Sequence, residues 1–164
     1  MSAFTENLIV SPLPDGKRWV LRKQFSYDVG EEGSGETIVV PAGFITDFAS
    51  IPRAFWAILP KWGKYGNAAV VHDYLYCTQP EQYCRRRADE IFLEAMLVLN
   101  VGKCTAKTMY YAVRWFGRIG WNKASELKGK RKDKFVELPE EILEIPQLLL
   151  KDFVLQKAGE NVKN

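Results

Sequence analysis

YGNAAVVHDYLY (65–76), a polar break TQPEQ (78–82) and YCRRRADEIFLEAM (83–96) decide how this chain folds. In the first run Ala68, Ala69, Val71, Leu75 and Tyr76 recur at three- and four-residue steps, as do Ala88, Ile91, Phe92, Ala95 and Met96 in the second, so each is an amphipathic helix. Pro80 sits in the break, disfavours helix in the residue before it and has no N–H to give, so the two helices should return on each other as an antiparallel hairpin. The chain's single histidine, His72, lies eight residues before Pro80, and Asp89 nine after it. Both therefore stand at about the same height on adjacent helices. His72 and Tyr76 share a face through the four-residue step, whereas Asp73 is turned about 100° from His72.

Outward from the hairpin, the amino-terminal part reads as strands. Phe4 to Val10, Arg18 to Tyr27 and Glu36 to Val40 alternate or carry β-branched and aromatic residues, with turn signals at Pro14–Gly16 and in EEGSG (31–35). A small antiparallel sheet is expected there, and a short strand at Phe44 and Ile45. TDFAS then leads to IPRAFWAIL, with Ser50 placed to cap a helix over Ile51 to Leu59. On the other side, Asn100 and Gly102 read as a helix stop. A third helix from about Thr105 to Ile119 brings Met109, Ala112, Val113 and Phe116 to the core, and Gly117 and Gly120 either end it, the favoured reading, or let it approach the His72 helix closely. The fold class is thus α+β: an N-terminal antiparallel sheet, a three-helix core containing the hairpin, and a C-terminal arm. The expected domains are residues 1–122, a basic linker 123–134 and the arm 135–164.

Composition bounds the alternatives. At 164 residues there is room for one domain with a sizeable core. A formal charge of +3 gives no ground for nucleic acid as a partner, and the basic run Lys128 to Lys134 lacks interleaved aromatics to stack bases. Three cysteines, Cys77, Cys84 and Cys104, have no zinc spacing and cannot all pair, which suits a reducing compartment. No segment approaches 18 uninterrupted apolar residues, and MSAFTENLIV lacks the pattern of a secretion signal, so no transmembrane segment or signal peptide is expected. One histidine is too few for a phosphohydrolase of the multi-histidine metal type.

HDYLY followed by ADEIFLEAM resembles the histidine–aspartate helix and partner helix of the secreted and parvoviral phospholipases A2, whose motif is HDxxY with a second Asp on the antiparallel helix. That resemblance implies His72 as general base, Asp89 and Tyr76 as its orienting partners, and Asp73 as a calcium ligand. It covers roughly 30 residues. Gly63 and Gly66 of KWGKYGN stand where its glycine-rich calcium loop should lie, and Leu75 replaces a disulfide cysteine. Asp47 is either a turn carboxylate or a second cation ligand at the same cleft.

The order GFITDFASIPR, HDYLY, RRRADEIF and VRWFGRIGW also resembles an uncharacterised domain family of tailed bacteriophages and prophages, over about residues 5–121. It implies a phage source and a virion or host cytoplasm as location. The functional expectation is a virion- or tail-associated ester hydrolase, calcium-assisted, acting on envelope phospholipid. Against it stands a non-catalytic tail or baseplate component in which His72 is a satisfied core residue and the apolar arm (Leu148 to Leu150, Phe153 to Leu155) docks on other virion proteins.

Overall fold

The computed structural model describes residues 3–4, 6–48, 65–127 and 134–137. The expected helix at 51–59 with its Ser50 cap, the aromatics Phe55 and Trp56, and the arm beyond Glu137 lie outside the described residues.

Among the described residues six short strands make two antiparallel three-stranded sheets. β1 (Ala3–Phe4), β4 (Phe25–Asp28) and β5 (Thr37–Val40) form one, ordered β1-β4-β5; β2 (Val10–Pro12), β3 (Trp19–Leu21) and β6 (Ile45–Thr46) form the other, ordered β2-β3-β6. β5 shows the cause of its own strand plainly: Ile38 and Val40 point inward while Thr37 and Val39 point out. Its partner β4 sets Phe25 opposite Val40 and Asp28 opposite Thr37. Two sheets replace the one expected. The alternation of WVLRKQFSY fails at Arg22–Gln24, so the run divides into β3 and β4 and each half joins a different sheet. Phe4 to Val10 divides likewise, into β1 and the start of β2.

The β2–β3 turn is held by Asp15, whose Oδ1 accepts the amides of Lys17 and Arg18 at 2.9 and 3.0 Å. Partial burial pushes the Asp15 carboxyl up, but the Arg18 side chain and those amides outweigh it and bring the pKa down to about 2.

Among the described residues three helices cover the sheets: α1 (Gly66–Thr78), α2 (Arg85–Val98) and α3 (Lys103–Glu126). Gln79 ends α1 in the left-handed region at φ 44°, and the Tyr83 amide donates to the Pro80 carbonyl at 2.9 Å, so the break does reverse the chain. Asn100, at φ 56°, closes α2 where a helix stop is expected. α1 is buried nearly throughout, with Ala68, Ala69, Val70, Val71 and Leu75 at 0% exposure, because α2, α3 and strands of both sheets pack on it.

α3 departs from expectation in two ways. It runs through Gly117 and Gly120 to Glu126, four residues into the expected linker, and Phe116 is 69% exposed rather than core. The glycines do not stop the helix because neither adopts a positive φ.

Residues 134–137 return to the body. Phe135 bridges Phe44 with ring centroids 5.5 Å apart, and the Val136 amide donates to the Gly43 carbonyl at 2.9 Å. Gly43 has φ 84°, and a Cβ there would fall on the Val136 carbonyl oxygen. Gly43→Ala should therefore cost about 1–3 kcal/mol in left-handed strain and lost docking of 134–137. Chemical denaturation measures the loss; it should shrink to about 1 kcal/mol when Phe135→Ala has already loosened the segment.

Candidate functional site

Asp89 belongs to the buried face of α2, together with Ala88, Ile91, Phe92, Ala95 and Met96. A carboxylate so placed must find donors in the protein, and four converge on it from three helices. On Oδ1 stand Nε2 of His72 at 2.9 Å and the Tyr76 hydroxyl at 2.6 Å, both from α1. Onto Oδ2 donate Nη1 of Arg114, from α3, at 2.7 Å and Nη1 of Arg85, one turn earlier on α2, at 3.4 Å. Arg85 also donates to the Arg114 carbonyl at 3.1 Å, fastening α2 to α3.

Burial alone would raise the Asp89 carboxyl, but hydrogen bonds from His72, Tyr76 and Arg114 outweigh it and hold the pKa below the ordinary carboxylate range. Asp89 is then ionised at neutral pH and only accepts. The proton of the His72–Asp89 bond consequently sits on Nε2. Tyr76 is shifted upward, by burial first and then by its bond to Asp89, so it remains a neutral phenol.

The His72 ring, 1% exposed, lies between Tyr76 and Phe92, with centroids 4.2 and 4.7 Å away. It nevertheless lines a cavity of about 350 Å³, shared with Asp47, Asp73, Tyr76, Lys123 and Lys134. Four of the five site residues expected from sequence, Asp47, His72, Asp73 and Tyr76, therefore line one cavity, and the fifth, Asp89, is buried behind His72 and Tyr76. His72, Tyr76 and Asp89 are in direct contact; Asp73 and Asp47 are held separately. Asp73 Oδ2 accepts from the Thr46 hydroxyl at 2.5 Å, and that hydroxyl accepts the Phe48 amide at 3.1 Å. Phe48 is a non-glycine residue at φ 51°, so the Thr46–Phe48 turn is an unfavourable conformation that these bonds fix. Thr46 thus supports Asp73. Asp47 is exposed, with the Lys134 ammonium 3.9 Å away.

Calcium takes six to eight oxygens. Two carboxylates border the cavity, with Lys123 and Lys134 facing the same space, and among the described residues no group of three His, Cys, Asp or Glu side chains gathers to hold a metal ion. Beyond these two carboxylates, a complete calcium shell would need backbone carbonyls or water as its remaining oxygens.

Two residues of the site went unread in the sequence. Arg85 was legible, lying four residues before Asp89 on one helical face. Arg114 had no local signal, since only the packing of α3 on α2 brings it in. Gly117 has a role too: a Cβ there would come 2.5 Å from the Tyr76 hydroxyl, so the glycine makes room for the phenol that bonds Asp89. Gly117→Ala should overpack this crossing by about 1–3 kcal/mol, more than the roughly 1 kcal/mol a helix gains from Ala over Gly. Gly120→Ala, with nothing within 4 Å of the added carbon, should raise the melting temperature instead. Thermal unfolding of both variants checks the contrast, and the Gly117→Ala loss should diminish in a Tyr76→Phe background.

No solved structure matches the chain significantly. Uncharacterized protein y4jT of Sinorhizobium fredii (strain NBRC 101917 / NGR234) is 35% identical over 99 residues, which are 59% of this chain but only 28% of that protein. The chain thus spans little more than a quarter of that relative's length. Among the described residues no helix is long and apolar enough to cross a membrane. A family match runs over residues 19–113, from β3 through the His72 hairpin to the residue before Arg114, and by it the chain belongs to the family described as protein of unknown function (DUF1353).

Proposed function

We propose that the chain is a hydrolase in which His72 activates water against an ester carbonyl, with envelope phospholipid as the substrate class and a phage virion or tail as its setting. The observation that carries this reading is the bond from His72 Nε2 to the buried, ionised Asp89, made by a ring that borders a cavity with two further acids. Asp89 orients the imidazole and stabilises the imidazolium that forms. Nδ1 takes the proton as the water oxygen bonds to the carbonyl carbon. The same proton then passes to the departing alkoxide as the ester C–O bond breaks. Tyr76 fixes the Asp89 oxygen that receives Nε2–H. Asp73 and Asp47 are the residues that would hold a calcium ion, which when bound would polarise the carbonyl. The order of the GFITDFASIPR, HDYLY and RRRADEIF motifs supports the phage source.

The test is fatty-acid release from phospholipid vesicles by the full chain, with calcium and with chelator, compared with His72→Gln. Release that depends on His72 supports the reading; no release from the native chain under either condition overturns it. One observation favours a second reading. Asp89 also binds two guanidinium groups from α2 and α3, which makes it a bracket for three helices in a non-catalytic virion component. That component would use its C-terminal arm to reach other virion proteins.

A further inference from the structure

The outer side of α3 is apolar and exposed. Tyr111, Trp115 and Ile119 follow at four-residue steps and are 52%, 74% and 78% exposed, with Phe116 beside them at 69%. Tyr111 and Trp115 have ring centroids 6.2 Å apart, so the stripe is continuous. A contiguous apolar surface of this kind marks a contact site. The opposite side of the helix, with Met109, Val113 and Ala124, is buried against the body of the fold.

The exposed charge beside this stripe is nearly all of one sign. Lys103, Lys107, Arg118 and Lys123 are exposed along α3, Arg114 is tied to Asp89, and the one acid, Glu126, is the last residue of the helix. At 100° per residue, Lys107 and Arg118 fall on one flank of the Tyr111–Trp115–Ile119 stripe and Lys123 on the other, beside Phe116. A helix that sets aromatic and aliphatic side chains between Lys and Arg is suited to lie in the plane of a membrane interface. Its stripe enters the boundary of the acyl chains while the cations meet anionic headgroups. Tryptophan and tyrosine favour that depth, because the ring is apolar and its N–H or O–H stays hydrated.

Other occupants fit less well. Pairing α3 with α3 of a second copy sets cation against cation, with one acid per helix to offset it. A polyanion without apolar surface would leave Trp115, Phe116 and Ile119 in water. Among the described residues no helix is long and apolar enough to cross a membrane, and only one side of α3 is exposed, so contact is made at the surface.

We infer that the Tyr111, Trp115 and Ile119 side of α3 is a docking surface for an anionic lipid bilayer, with Lys107, Arg118 and Lys123 on its headgroups. Phe116 and Lys123 also line the His72 cavity, so a docked bilayer meets the cavity rim. The inference does not rest on the hydrolase reading, since attachment needs no chemistry at His72.

Cosedimentation of the full chain with vesicles, in chelator so that no metal ion bridges protein and lipid, tests it. Vesicles of phosphatidylcholine and phosphatidylglycerol in equal parts should bind on the order of tenfold to a hundredfold more tightly than phosphatidylcholine alone, as two or three cations near an anionic surface require. Added salt should narrow that difference. Ile119→Ser and Arg118→Glu, both at exposed positions, should each weaken binding on the order of tenfold with the circular dichroism spectrum unchanged. Lys17→Glu, the same charge change on the exposed β2–β3 turn, should leave binding within about twofold of native. No binding to the anionic vesicles overturns the inference, as does equal binding to both kinds or binding that neither α3 variant changes. Equal weakening by Lys17→Glu and Arg118→Glu also overturns it, by reducing the effect to net charge. A native chain that sediments as a dimer, and as a monomer with Ile119→Ser, would assign the face to a second copy instead. Fatty-acid release is scored separately, so the hydrolase reading and the docking surface can each fail alone.

Discussion

Replacing Asp89 by alanine should lower the stability of the fold by about 3–5 kcal/mol, the cost of removing one partner from a buried ionic cluster. Two guanidinium groups, an imidazole N–H and a phenol would be left around a space with no acceptor, and three helices lose their common tie. Urea unfolding monitored by circular dichroism measures it. Because α2 is joined to α3 through Arg114, the double variant Asp89→Ala with Arg114→Ala should cost less than the two single losses added together. The effect also has a pH signature. The folded-state pKa of Asp89 lies below that of the unfolded chain, so its contribution is complete above the unfolded carboxylate value near pH 4 and fades as pH falls through the lower folded value. The advantage of the native chain over Asp89→Asn should therefore shrink as pH is lowered below about 4. An advantage constant from pH 7 to pH 2 would mean that the carboxylate's charge contributes nothing.

Replacing His72 by glutamine should reduce ester hydrolysis by a factor of about 10²–10⁴, the usual contribution of a positioned general base. Glutamine is the informative choice. Its amide N–H can still donate to Asp89, so the buried carboxylate keeps a donor where Nε2 stood, while the side chain cannot take a proton at neutral pH. Initial rates of fatty-acid release, with circular dichroism confirming the fold, give the number. Equal rates in the native and variant chains would leave His72 as a structural partner of Asp89, and the bracket reading would then hold.

The hairpin is where sequence and structure agree most closely. Two runs of apolar residues at helical spacing and a proline between them fix both helices and their reversal, and counting outward from Pro80 sets His72 beside Asp89, 2.9 Å apart. The agreement has a local cause, since helix period and a short connection leave few ways to pair two neighbouring helices. The sheets were less legible. A break of three residues at Arg22–Gln24 decides whether a run is one strand or two, and the sheet each half joins depends on partners distant in sequence. Of the two readings of Gly117 and Gly120, a helix end and a close approach to the His72 helix, the first fails because α3 runs through both, and the second holds at Gly117, which clears the Tyr76 phenol.

By itself, then, the sequence determined that this chain is α+β, that a helix hairpin forms around Pro80, and that its one histidine meets an acid across it. These outcomes follow from the 3.6-residue period and from proline's missing N–H, which act within a few residues. Only the tertiary structure decided that Asp89 is a four-donor hub, that Arg114 completes it, and that Asp73 is tied to Thr46 while Asp47 opens toward Lys134. A buried carboxylate has to be satisfied by whatever donors the packed helices bring near, and which donors those are is set by how α3 crosses α1 and α2.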